Sequence, residues 1–200
     1  MRYTSRMPCL RLTRREALLG LAAVAIAPTA FADTAPPPGS ARYIVELIVF
    51  RQPGAWPVPV PAPAIAQTAT IAGRVIALPD ADWQLGATEA ALARGAFPLL
   101  AHTAWAAIVP ANGRTTAHLD DVLSPDAPVQ GAVALQRGQY LFLGVDIDYK
   151  PADPSLPPNT VYSVREKRRV KFGEKHYFDH PAIGVIATVT ASRGTPADAE

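Results

Sequence analysis

Cysteine is almost missing from this chain: Cys9 is the only one in 200 residues. It stands ahead of the first apolar run, so a processed protein would carry no thiol. That excludes disulfides, thiolate catalysis and cysteine metal sites. Long apolar runs are missing too. The longest, Ala17 to Ala27, falls short of the roughly 20 residues needed to cross a bilayer. There is no Gly-x-Ser-x-Gly elbow, no His-Glu-x-x-His helix and no phosphate-binding glycine loop. No internal repeat is present.

What opens the chain reads as a cleavable export signal over residues 1–32. Five arginines precede the apolar run, and Ala30-Phe31-Ala32 offers the small residues a signal peptidase needs. Thr13-Arg14-Arg15-Glu16-Ala17-Leu18-Leu19 resembles a twin-arginine export motif, with general secretion as the other route. Removal changes the charge. The whole chain is +2; the signal holds five Arg and one Glu, or +4, so the mature chain is −2. The basic pI gives no support for a nucleic-acid partner. The expected product is periplasmic, with no membrane span after cleavage. Residues 33–41, with Pro36-Pro37-Pro38-Gly39, read as a linker, and 191–200 as a flexible tail.

Between them the pattern is that of an α+β chain, mainly antiparallel β-sheet with one or two short helices in a single domain over 42–190. Arg42 to Phe50 is apolar on both faces and reads as a central strand; Glu46 is the exception, a carboxylate that needs a donor. Residues 53–63 hold five prolines and read as a loop. Asp82 to Arg94 reads as a helix capped by Asp82 and stopped by Gly95. Phe97 to Trp105, Ala132 to Gln136, Val161 to Phe172 and Ala182 to Thr190 read as strands. Residues 111–129 read as a loop with one helical turn near Asp120. Tyr140 to Tyr149 alternates, with Tyr140, Phe142, Asp146 and Asp148 on one side. Of the three tryptophans, Trp105 reads as core, while Trp56 and Trp83 are candidates for sugar stacking.

The richest stretch is Lys171 to Pro181, "KFGEKHYFDHP". A two-residue turn at Gly173-Glu174 predicts a hairpin in which Val170 meets Tyr177 and Arg168 pairs with Asp179. Its other face would carry Arg165, Lys167, Arg169 and Lys171 beside His176, Phe178 and His180, with Phe178 against Arg169. These seven residues are the candidate ligand-binding set. Such a row of cations meets water, as on a solvated edge strand, or an anionic partner. His176 and His180 stand roughly 13 Å apart along a strand at about 3.3 Å per residue, too far to share one ion. No metal, cofactor or catalytic residue is assigned.

Four stretches resemble the CsiV family of periplasmic peptidoglycan-binding proteins: "YIVELIVF" at 43–50, "LLAHTAW" at 99–105, "YLFLGVDID" at 140–148, and "RRVKFGEKHYFDHP" at 168–181 followed by Ile183-Gly184-Val185. The resemblance implies a non-enzymatic envelope protein that binds peptidoglycan and supports cell-wall synthesis and cell shape. In some members it implies partnership with a lipoprotein activator and its class A peptidoglycan synthase. It transfers no binding residues; the cationic hairpin is the reading of the residues themselves. The alternatives are an envelope protein–protein adaptor using the same face, and a metal-dependent hydrolase built on His176, Asp179 and His180.

Overall fold

The computed structural model describes residues 36–58 and 74–192; the expected export signal and residues 193–200 of the expected tail lie outside them, while Ala191 ends a strand. The nine strands among the described residues make two antiparallel sheets packed around one apolar core. The first sheet runs in the order β2 (Arg74–Ala77), β3 (Leu99–Val109), β1 (Ala41–Arg51), β9 (Ile183–Ala191) and β8 (Lys175–Asp179). The second is a meander of β4 (Arg114–His118), β5 (Val129–Arg137), β6 (Leu141–Tyr149) and β7 (Tyr162–Val170). The chain changes sheet twice, between β3 and β4 and again between β7 and β8. The mainly antiparallel class expected from the sequence is the class observed.

β1 is central, as its two apolar faces require. Tyr43, Val45, Leu47 and Val49 point into the core between the sheets, and Ile48 and Phe50 point outward beneath Leu85. Across the core, Leu143, Val145, Ile147 and Tyr149 of β6 come from the inward half of its alternation. Trp105 is buried among them, as expected. β2 and β4 were not read as strands. β4 is rich in threonine and polar outside, yet Thr115 and Ala117 alternate inward, and the Thr115 hydroxyl donates to the Ile108 carbonyl at 2.7 Å.

The single α-helix among the described residues, α1 (Gly86–Arg94), is shorter than the 82–94 expectation. Asp82 does not cap it; Asp80–Asp82 forms a separate 3₁₀ turn. Leu85 occupies the capping position and has no side-chain oxygen to offer. The acceptor comes from elsewhere in the chain: the Glu46 carboxylate on β1 takes the amides of Gln84 and Leu85 at 2.8 and 2.7 Å. Gly95 stops the helix as expected, its amide donating to the Ala91 carbonyl.

The largest correction is the hairpin. β7 and β8 do not pair with each other: β7 pairs with β6 in the second sheet, and β8 with β9 in the first. The turn that joins them is Lys171 to Glu174, with Phe172 and Gly173 at its centre. Gly173 sits at φ +71, a conformation that costs a side chain dearly. Its amide donates to the Val189 carbonyl at 2.9 Å, which hands the chain over to β9. Core filling explains the handover. Phe178 faces inward opposite Val185 and is fully buried, which a strand lying beside β7 in a polar hairpin would not allow.

Candidate functional site

The outer face of the second sheet can be drawn as a grid from its register. One row is Arg114, Gln136, Phe142, Arg169; the next Thr116, Ala134, Gly144, Lys167; the next His118, Ala132, Asp146, Arg165. Inward-pointing neighbours fill the core, so period-two alternation forces these side chains outward. Most are half-buried or exposed. Three of the seven candidate residues, Arg165, Lys167 and Arg169, therefore do form a row on β7, beside β6 rather than β8.

The row is not uniform. Arg165 is neutralised by its own chain: its Nε lies 2.9 Å from Asp146 Oδ1 and an Nη 2.9 Å from Asp148 Oδ1. Lys167 donates to Gln136 Oε1 at 2.6 Å, with its ammonium 5.3 Å from the Phe142 ring centre. The Arg169 guanidinium lies 3.6 Å over the Tyr140 ring. Among the described residues no carboxylate pairs with Lys167, Arg169 or Arg114. A guanidinium stacked on an aromatic ring is held in place with its N–H edge free, which is the geometry that grips a carboxylate.

The other four candidates fall elsewhere. Lys171 lies in the sheet-changing turn and pairs with Glu174 at 3.2 Å. His176 is on β8, where its Nε2 accepts the Lys171 amide at 3.3 Å. Phe178 is core, so the expected contact with Arg169 does not exist; Arg168 covers its ring at 4.4 Å instead. Arg168 does not pair with Asp179 either. It pairs with Glu166, two residues back on the same strand face, and donates to the Tyr177 carbonyl at 2.6 Å. His180 accepts the Ala182 amide on Nδ1 at 3.1 Å, and burial lowers its pKa. Phe172 and Tyr177 are 56% and 41% exposed. Phe172 stacks on Tyr43, and Tyr177 lies flat on Phe50. The Tyr177 hydroxyl donates to Asp179 at 2.8 Å and receives Gln52; burial first, and that carboxylate second, raise its pKa.

Of the tryptophans proposed for sugar stacking, Trp56 stacks on Tyr162 and donates to Asp153 at 2.7 Å, and Trp83 lies against His102. Both rings are occupied in closing the fold. Among the described residues no three His, Cys, Asp or Glu side chains come together as a metal site. Arg114, Gln136, Phe142 and Tyr140 were absent from the expected set. The alternation of 140–149 had already put Tyr140 and Phe142 on the polar side; what it lacked was the pairing of β6 with β7.

Glu46, the buried carboxylate of β1, has three contacts around it. Besides the two amides at the start of α1, His102 Nε2 lies 2.9 Å away, and His102 Nδ1 reaches Glu89 on α1 at 2.8 Å. Each ring nitrogen of His102 thus lies within hydrogen-bonding distance of a carboxylate oxygen. Trp83 closes over the imidazole at 4.2 Å. The donor that the sequence demanded is thus supplied twice, by a helix start and by a histidine. The arrangement ties α1 to the first sheet.

A family description, that of the peptidoglycan-binding protein CsiV, matches residues 61–191. The chain belongs to the CsiV family. The match takes in three of the four stretches noted in the sequence; Tyr43 to Phe50 precedes it. No curated protein and no solved structure matches the chain. The CsiV family is named for binding and not for a reaction, and its ligand belongs to the cell envelope.

Proposed function

We propose that this CsiV-family protein binds peptidoglycan in the periplasm without catalysing a reaction, and that it docks through the cationic outer face of the second sheet. The single observation that carries the reading is that Lys167 and Arg169 stand on an open sheet face, fixed by Gln136 and Tyr140, with no carboxylate among the described residues to neutralise them. Peptidoglycan presents carboxylates beside apolar sugar faces, and cations flanked by Phe142 and Tyr140 match both. Each exposed contact is weak and screened by salt, and a polymer that engages many copies at once makes up the strength.

Of the seven sequence candidates, Lys167 and Arg169 contact the polymer directly in this reading. Arg165 spaces the row, Lys171 and His176 lie at its margin, and Phe178 and His180 support the fold behind it. Export with removal of residues 1–32 delivers the chain to its ligand. There it supports wall synthesis and cell shape, beside a lipoprotein activator and its class A synthase as the family resemblance implies.

The test is co-sedimentation of the mature chain with purified sacculi. Wild type is expected in the pellet at low salt and progressively less as salt rises. The double variant Lys167→Glu/Arg169→Glu should stay in the supernatant while melting at the wild-type temperature. Equal sedimentation of the two proteins would remove this face from the reading.

A further inference from the structure

The cationic row is only one side of the sheet face. Facing it across β5 and β6 is Arg114 on β4, in the same register row as Arg169, with Thr116 beside it in the row of Lys167. Four buried side-chain polar atoms among the described residues have no hydrogen-bond partner, and two of them are Arg114 Nε and Thr116 Oγ1. A buried donor without an acceptor is costly, and two on one strand face call for a ligand that accepts. Between the two walls the row of Thr116 and Lys167 is floored by short side chains, Ala134 and Gly144, while Gln136 and Phe142 stand in the row of Arg114 and Arg169. The walls stand three strand spacings apart, roughly 14 Å at about 4.8 Å each.

We infer that this face is a trough that holds the peptide part of peptidoglycan, one stem peptide lying across the four strands with its carboxylates at Arg169 and Lys167 on one wall and at Arg114 on the other. The inference rests on the peptidoglycan-binding reading and adds which part of the polymer is read. Charge complementarity selects the occupant. The unneutralised groups at this end of the face are cations, and in a finished wall the anionic groups are borne by the stem peptides. Length agrees: an extended peptide of about four residues spans roughly 13–14 Å. A guanidinium edge on each wall can donate two hydrogen bonds to a carboxylate, and the Thr116 hydroxyl can donate to a peptide carbonyl.

Gly144 supplies a variant that narrows the trough while every cation is kept. A Cβ built there meets the Ala134 carbonyl oxygen and the Lys167 stem at 3.9 Å, ordinary contact distance, so Gly144→Ala fits the sheet and adds a methyl group to the space a peptide would fill. Arg114→Gln removes the far wall's charge, and among the described residues it breaks no ion pair. Binding is measured with two probes, intact sacculi and the same glycan stripped of its peptides by an amidase. Each variant is expected to bind intact sacculi at least tenfold more weakly than wild type with an unchanged melting temperature, and wild type should bind stripped glycan as weakly as the variants bind intact wall. Wild type holding stripped glycan as tightly as intact sacculi overturns the peptide assignment and leaves peptidoglycan binding standing. Both variants binding like wild type overturns the trough. Wild type failing on intact sacculi overturns this inference together with the reading beneath it.

Discussion

The outer face of the first sheet carries a buried carboxylate beneath α1 and Trp83; the outer face of the second carries four cations, Arg114, Arg165, Lys167 and Arg169, with no described helix above it. Both sheets present an apolar inner face to the same core. They differ in how outward polar groups are answered. Glu46 finds every partner inside its own chain, from two amides and His102. Lys167 and Arg169 find an amide oxygen and an aromatic ring and keep their charge unanswered. A closed network holds structure together, and an open one is available to a partner. Substitutions should therefore separate cleanly: those in the core and on the first sheet cost stability, and those on the outer face of the second cost binding.

The strongest way to break that division is Phe178→Ala. The ring is fully buried between Val185 and the Arg168 guanidinium, so its loss should cost about 3–5 kcal/mol in urea unfolding, in line with other buried phenylalanines. Had Phe178 been a surface contact beside Arg169, the cost would be near zero. A variant with wild-type stability and impaired sacculus binding would restore the hairpin reading.

Next comes Glu46→Ala, which leaves the Gln84 and Leu85 amides and His102 without their shared acceptor. Breaking a buried, charged hydrogen-bonded group typically costs about 3 kcal/mol or more. The loss should appear first as faster amide exchange over 84–94, measured by hydrogen exchange, because these contacts fasten α1. At conditions where the variant remains folded, sacculus binding should equal wild type. Reduced binding by folded Glu46→Ala would mean that the two faces are coupled.

The sequence carried the class of the fold and most strand positions, because alternation and apolar runs are local signals. It also marked Glu46 as a group in need of partners. It could not supply those partners, since Gln84, Leu85 and His102 are brought to Glu46 only by the pairing of β1 with β3. The hairpin failed for a related reason. A glycine between two strand-like runs fits a tight hairpin equally well as a change of sheet, and the choice was made by Phe178 and Val185, whose burial depends on distant β9. Alternation on β7 survived the error intact: Arg165, Lys167 and Arg169 share a face whichever strand lies beside them. Their neighbours did not survive it, which is why Phe142 and Tyr140 replace Phe178 and His176 at the row.

The smallest effect sharpens the comparison through pH. Burial lowers the His180 pKa below its ordinary 6.5 and outweighs the opposing pull of Asp179. The ring is neutral in the fold, with Nδ1 accepting the Ala182 amide and the imidazole 5.9 Å from Tyr162. The unfolded chain takes up the proton more readily, so this contribution is complete above about pH 6.5 and declines as pH falls through the lowered value. Protonated Nδ1 also can no longer accept. His180→Asn keeps an acceptor for Ala182 and removes the titration. Its urea midpoint should thus lose less than wild type between pH 7 and pH 5, while the two proteins bind sacculi alike at pH 7. Parallel midpoints across that range would show that the turn tolerates a charged imidazole. A binding difference at pH 7 would place His180 at the wall-binding face after all, since a neutral group behind the core has no route to the ligand.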